Sequence, residues 1–272
     1  MRKTILVEAG RLPGTLLPAV PLRLSILAKN TGSGQAALIA RSSTAARLYG
    51  ALEAIPEAGP GVVRRHSGGP TAVVEAGYYY LALVDSRGFE PLAREVEALL
   101  GARGGLMGDS VVAVSATAGY GYVEVYTPRD PQWILEKLAP GSWEQGELEE
   151  ELLEEPARML SRREWLDPLP GEPQVDYSTT TESGYRLRLL GYIDADAGII
   201  LETFPDHTIY AYPPGHARMV FREISHVPPA DPVAVHTMNA LYGGAVVYGA
   251  KASEIVEAVK SYLAIVEEKM GP

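Results

Sequence analysis

The chain contains no cysteine. Disulfides, thiolate zinc sites and cysteine nucleophiles are therefore excluded. No apolar run reaches the length of a membrane span. Basic residues are in the minority, 24 Lys and Arg against 34 Asp and Glu, which leaves a formal charge of −10. That balance argues against a nucleic-acid binder, which needs a basic surface. His66, His207, His216, His226 and His236 are scattered, without the tight spacing of a metal site. No Gly-x-Ser-x-Gly elbow, P-loop or dinucleotide fingerprint occurs. The basic start Met1-Arg2-Lys3 meets Glu8 before a signal-like apolar core can form, so it reads as the first strand of a cytoplasmic protein.

What is present is ample core. Hydrophobic residues make up 46% of 272, enough for one large or two modest domains. Leu22 to Leu27 alternates apolar and polar residues and predicts a half-buried strand. Ala37 to Ala40 is a second short strand. Ser43 or Thr44 is placed to cap a helix running to Ile55, with Ala45, Leu48, Leu52 and Ile55 on one face. A strand at Gly61-Val62-Val63 and another from Ala72 to Leu83 follow. Pro91 to Leu100 predicts a helix. Ser110 to Ala116 and Tyr120 to Thr127, flanking Gly119, predict a hairpin. Asp130-Pro131 starts a short helix through Leu138.

Composition shifts between Pro140 and Pro173. Glu144, Glu147, Glu149, Glu150, Glu151, Glu154 and Glu155 form an acidic run, followed by Arg158, Arg162 and Arg163, an order that suits a helix dipole. A solvated connector helix accounts for it, and an acidic partner surface is the alternative. Pro168, Pro170 and Pro173 mark a linker. Beyond it, Tyr185 to Tyr192 and Gly198 to Phe204 pair around the turn Asp194 to Gly198, whose spacing does not fit a calcium loop. His207 to Tyr212 is a third strand. Helices are predicted over Gly215 to Ile224, Asp231 to Tyr242 and Ser253 to Glu267. The divisions are 1–140, a 141–174 connector and 175–272.

The most informative stretch is Arg64-Arg65-His66-Ser67-Gly68-Gly69-Pro70-Thr71, running into Ala72-Val73-Val74-Glu75-Ala76-Gly77-Tyr78. Guanidinium forks and a backbone free of Cβ atoms suit an anionic ligand. A plain hairpin turn with a solvated Arg pair fits the same spacing. Alternation sends Tyr78 and Tyr80 to one face and Tyr79 to the other.

This stretch resembles the signature of the lipoate–protein ligase family, within the biotin/lipoate ligase superfamily. Arg64, Arg65, Ser67, Gly68, Gly69 and Gly77 fit it. Glu75 stands where the family has Asp and Ala72 where it has Val. Pro70, Val74 and Tyr78 replace a glycine, a histidine and an asparagine. Arg41 matches an arginine of the family's Ile-Gly-Arg-x-Gln stretch; a surface Arg beside a helix start is the other reading. Val114-Ser115 and Thr117-Ala118 line up with a strand in which the family carries a lysine, and that lysine falls at Ala113. Of the segment that precedes this strand in the family, only Arg103 and Asp109 remain. The string Thr208 to Pro214, a helix, and Ala230-Asp231-Pro232 are similar to the family's accessory C-terminal domain.

The resemblance implies an α+β fold: a mixed or antiparallel sheet flanked by helices, then a smaller α+β accessory domain. It implies ATP with magnesium and lipoate or octanoate as ligands, and no resident metal. The acceptor would be a lysine on a lipoyl-domain protein, from a 2-oxoacid dehydrogenase or the glycine-cleavage H protein. Binding would fall to Arg41, Arg64, Arg65, Ser67, Gly68, Gly69, Gly77, Tyr78, Ser115 and Thr117. Methyl for ammonium at Ala113 removes a charge that the reaction needs. Lys29, Lys137 and Lys251 are candidates to replace it. A catalytically inactive relative that binds a lipoyl protein, acyl group or nucleotide is the alternative.

Overall fold

The computed structural model describes residues 4–117, 119–141, 143–225 and 231–271. The expectations at Met1-Arg2-Lys3, Ala118, His226 and Ala230 lie outside the described residues. Strand β1 (Thr4–Leu12) leads through a 3-10 turn (Leu17–Ala19) into helix α1 (Val20–Asn30), which delivers the chain to β2 (Gln35–Ser42), parallel to β1. Parallel neighbours require such a crossover. Hence Leu22 to Leu27, expected as a strand, is helical. Val20, Leu24 and Ala28, four residues apart, are buried, whereas Ile26 is 41% exposed. Pro21 sits in the first turn, where its missing N–H has no helical partner to lose.

The helix expected from Ser43 to Ile55 is also overturned. The segment forms β3 (Ala46–Tyr49) and then turns. Leu48, Leu52 and Ile55 are buried as their spacing demands, but Ala45 is exposed. Strand β3 is the middle of a three-stranded sheet, between the parallel β4 (Val62–Arg64) and the antiparallel β5 (Ala72–Val74). Strand pairing wins over a helical period of only four residues. The long strand expected from Ala72 to Leu83 breaks at Gly77, whose φ of +96° suits glycine. Its second half, β6 (Tyr79–Asp85), joins a different sheet.

That larger sheet is completed after helix α2 (Phe89–Leu100) by β7 (Leu106–Met107), the hairpin β8 (Ser110–Thr117) and β9 (Tyr120–Thr127), and, after helix α3 (Gln132–Leu138), by β10 (Glu144–Gln145). The order is β10-β1-β2-β6-β9-β8-β7, parallel among the first three strands and antiparallel thereafter. Leu81, Leu83, Val112, Val114, Val123 and Val125 pack with residues of α2 and α3. Leu38, Tyr80, Ala82, Tyr122 and Tyr126 pack on the opposite side with residues of α1. This is the period-two alternation of strands covered on both faces.

The chain then forms α4 (Glu151–Leu160) and α5 (Arg163–Leu166). Helix α4 buries Leu153, Ala157 and Leu160 and packs on α1 and the 3-10 turn. Pro156 lies inside it and leaves the Leu152 carbonyl without its helical donor. Arg23 Nε donates to that carbonyl at 2.6 Å. Beyond it lie β11 (Val175–Thr180), β12 (Arg186–Asp194) and β13 (Ile199–Pro205), an antiparallel sheet, then β14 (Tyr210–Tyr212), α6 (Pro214–Arg222), α7 (Asp231–Gly244), β15 (Val246–Tyr248) and α8 (Ala252–Met270). The three helices stand where the apolar stripes predicted them, and Ile255, Val259, Tyr262, Leu263 and Val266 of α8 are buried. The strand expected from His207 shrinks to β14, which pairs with the unanticipated β15. Tyr185, Tyr210 and Phe221 belong to the same hydrophobic cluster as α2 and α3.

Candidate functional site

Arg64 closes β4 and is buried. Its Nε and Nη2 donate to the Leu166 carbonyl at 3.2 and 2.5 Å. Its Nη1 donates to the carbonyls of Ala51 and Glu53 at 3.1 and 2.6 Å. In return the Arg64 carbonyl accepts from Trp165 Nε1 at 2.9 Å. Burial, with Arg218 nearby, pulls the guanidinium down to about 9, still protonated at neutral pH. Arg64 therefore ties α5 to the signature strand.

Arg65 points elsewhere. Its Nη2 donates to the carbonyls of Gly69 and Pro70 at 3.2 and 2.7 Å, and its guanidinium lies 5.4 Å from the Tyr126 ring centre. Nε and Nη1 are buried and meet no acceptor at hydrogen-bonding geometry. Ser67 is fully buried, and its hydroxyl donates to Glu124 Oε2 at 2.5 Å. Glu124 Oε1 accepts from Tyr126 at 2.6 Å and from Tyr80 at 3.1 Å. Burial pushes the Glu124 carboxyl up, while Arg65 and the three hydroxyls hold it down. Ser115 stands opposite Tyr122 in the β8–β9 register, one pair of same-face positions from Ala113 opposite Glu124. Arg65 and Ser67 thus meet a buried carboxylate, while the buried Ser115 hydroxyl has no hydrogen-bond partner.

The glycines serve close approach of the C-terminal strands. A Cβ on Gly68 would lie 2.5 Å from the Ile209 carbonyl and 2.9 Å from Tyr210 Cα. Gly68 N–H donates to the Val114 carbonyl at 3.3 Å and Gly69 N–H to the Thr208 carbonyl at 3.1 Å. Tyr210 donates its hydroxyl to the Val112 carbonyl at 3.2 Å. Two backbone donors that suited an anion are spent within the protein.

The remaining candidates stand apart. Gly77 N–H donates to the Ser42 carbonyl and Ser42 N–H to the Tyr78 carbonyl, both at 2.7 Å, which pins the turn to β2. Arg41 is exposed, stacks 4.3 Å over the Tyr79 ring and hydrogen-bonds its hydroxyl. Thr117 pairs with Tyr120 at the other end of the sheet, four residues and about 13 Å along β8 from Ala113. Lys29, Lys137 and Lys251 are exposed; Lys137 lies over Trp133 and Lys251 pairs with Glu182. Sequence reasoning missed Glu124, Tyr122, Tyr126, Trp165 and Tyr210. Alternation along Tyr120 to Thr127 offered one sign, a single carboxylate among three tyrosines on one face.

Beside the signature lies a cavity of about 720 Å³, lined by Leu22, His66, Pro156, Met159, Leu160 and Trp165, with Glu155, Arg162 and Glu164 at its rim. His66 stacks on Trp165 with ring centres 6.2 Å apart. Its Nδ1 is buried without a partner, and burial lowers its pKa, so the imidazole is neutral. The volume falls within the range of small-molecule sites, about 300–1,000 Å³.

LipL1 of P. falciparum in complex with lipoate superposes over 97% of this chain and 99% of its own, with a TM-score of 0.58 at 10% identity. The fold is that of a lipoate–protein ligase. A putative lipoate protein ligase from T. acidophilum with bound lipoic acid matches 62% of the chain and 100% of its own, at 13% identity and a TM-score of 0.42. Lipoate-protein ligase A bound with ATP matches 63% and 88%, at 12% identity and 0.34. No protein-family model matches the sequence, and no curated protein does. At 10% identity the likeness to LipL1 establishes the fold alone, and function rests with the site.

Proposed function

We propose that this chain is a lipoate–protein ligase-like protein that takes a lipoyl or octanoyl group into the cavity beside His66 and meets a lipoyl-domain protein. The observation that carries this reading is the apolar cavity walled by His66, which lies between Arg65 and Ser67 of the ligase-like stretch. An extended chain with one polar end suits such a lining.

Of the signature donors, those of Arg64, Ser67, Gly68 and Gly69 are not free for ATP with magnesium, whereas Arg65 Nε and Nη1 and Ser115 Oγ have no partner in the protein. Arg64 is committed to three carbonyls, and the glycine N–H groups are taken. Ser67 is held by Glu124, and Ala113 offers no cation. A triphosphate needs charge where this chain has a carboxylate.

Calorimetric titration with lipoate, with ATP and magnesium, and with a stable lipoyl-adenylate analogue tests the reading. Turnover with lipoyl domains is assayed alongside. Lipoyl probes are expected to bind and no lipoyl-adenylate to form. Formation of the adenylate would reinstate the ligase reaction, and failure of every lipoyl probe would overturn the reading.

A further inference from the structure

We propose that the protein presenting the acyl group docks on the face formed by α1 and α4, through a contact surface that is basic and carries exposed apolar side chains. This rests on the reading of the cavity beside His66 as an acyl site. Leu152, Pro156 and Met159 recur at helical spacing on one side of α4. Leu152 is 42% exposed and Met159 54%, while Leu153, Ala157 and Leu160 are buried on the other side. Arg23 Nε reaches the Leu152 carbonyl at 2.6 Å, which lays α1 alongside. Ile26, one turn further along α1, is exposed, and Leu22, one turn before it, lines the cavity with Pro156 and Met159. The cavity wall thus continues outward as an apolar strip that includes Leu152 and Ile26.

The charge of this face selects the partner. Between Glu144 and Glu164 eight Glu stand against three Arg, which is half of the chain's formal charge of −10. Glu147, Glu149, Glu150, Glu151, Glu154 and Glu155 are exposed, and among the described residues none of them is in an ion pair. With Arg23 and Lys29 of α1 counted, acids still outnumber bases. Water and salt screen every exposed charge alike, so the excess sets the sign of the field that a partner meets. A basic surface is steered towards it, and an acidic one, or a second copy of this chain, is repelled. The apolar strip supplies the buried area that charge alone does not.

The full chain is titrated with lipoamide and with three synthetic peptides: a lipoyl-lysine flanked by Lys and Leu, the same peptide with Glu for each flanking Lys, and the Lys peptide without its lipoyl group. The basic lipoyl peptide is expected to bind at least about tenfold more tightly than its acidic counterpart. That ratio should shrink as salt rises from about 0.05 M to about 0.5 M. Glu150→Gln with Glu151→Gln and Glu154→Gln, none of them lining the cavity, is expected to cut the ratio to about threefold or less. Ile26→Ser with Leu152→Ser is expected to weaken the basic lipoyl peptide about three- to tenfold. Lipoamide binding should stay unchanged in both variants, which also reports that they are folded. Equal binding of the acidic and basic lipoyl peptides, or variants without effect on the ratio or the basic peptide, would overturn this inference and leave the acyl site standing. Equal binding of the basic peptide with and without its lipoyl group would mark charge attraction alone and would also overturn it. Failure of lipoamide and of both lipoyl peptides to bind would overturn the acyl site as well.

Discussion

Ala113 and Glu124 face each other across the β8–β9 pair, both buried, on the face that carries Tyr80 and Tyr126. The position that bears a lysine in the resembled signature thus opposes a carboxylate. Ala113→Lys alone is expected to leave lipoyl-adenylate formation undetectable, because the new ammonium pairs with Glu124. Overpacking should lower stability by about 1–3 kcal/mol. Lipoate-dependent pyrophosphate exchange is the check, and a measurable rate would sink the explanation.

Arg64 acts as a clasp between β4 and α5. Arg64→Met removes four hydrogen bonds and orphans the Leu166, Ala51 and Glu53 carbonyls. A loss of at least about 3 kcal/mol is expected in urea unfolding. A loss under about 1 kcal/mol would show that the contacts are dispensable.

Gly68→Ala tests close approach. The added methyl meets the Ile209 carbonyl and Tyr210 Cα. Destabilisation of about 1–3 kcal/mol is expected. Hydrogen exchange should rise in Ile209 to Tyr212, where the strand is pushed off the loop. Unchanged exchange there would refute the account.

His207 predicts a pH dependence. Burial, with Arg186 nearby, lowers its pKa from 6.5 to about 3. The ring packs edge-on against Phe221, and its Nδ1 accepts from Arg188 N–H at 3.0 Å. The unfolded chain binds the proton more readily, so this contribution is full above about pH 6.5 and is lost as pH falls towards 3. Between pH 7 and 5 it amounts to about 2 kcal/mol. His207→Gln should flatten the stability profile over that window by a similar amount. Parallel profiles for variant and parent would count against a buried neutral imidazole.

The long periodic elements were legible in the sequence. The stripe of Ile255, Val259, Tyr262, Leu263 and Val266 predicted α8, and Gly119 predicted the β8–β9 hairpin. Short windows misled. Leu22 to Leu27 alternates by accident, because a helix crossing between parallel strands shows polar residues at similar intervals. Ser43 to Ile55 carries a helical period whose buried residues are served as well by β3 and the turns after it.

The sequence by itself determined the absences and a likeness: no thiol chemistry, no membrane-length apolar run, and a signature that resembles the lipoate ligases. Only the tertiary structure decided how that signature is used. Arg64 binds a connector lying 102 residues away, Ser67 a carboxylate 57 residues away, and Gly68 the strand that begins at Tyr210. Such partners depend on which faces of distant elements are brought together, and local pattern holds no record of that. Burial then pushes the His66 pKa down and the Glu124 pKa up, because the cost of removing a side chain from water appears only once its neighbours are in place.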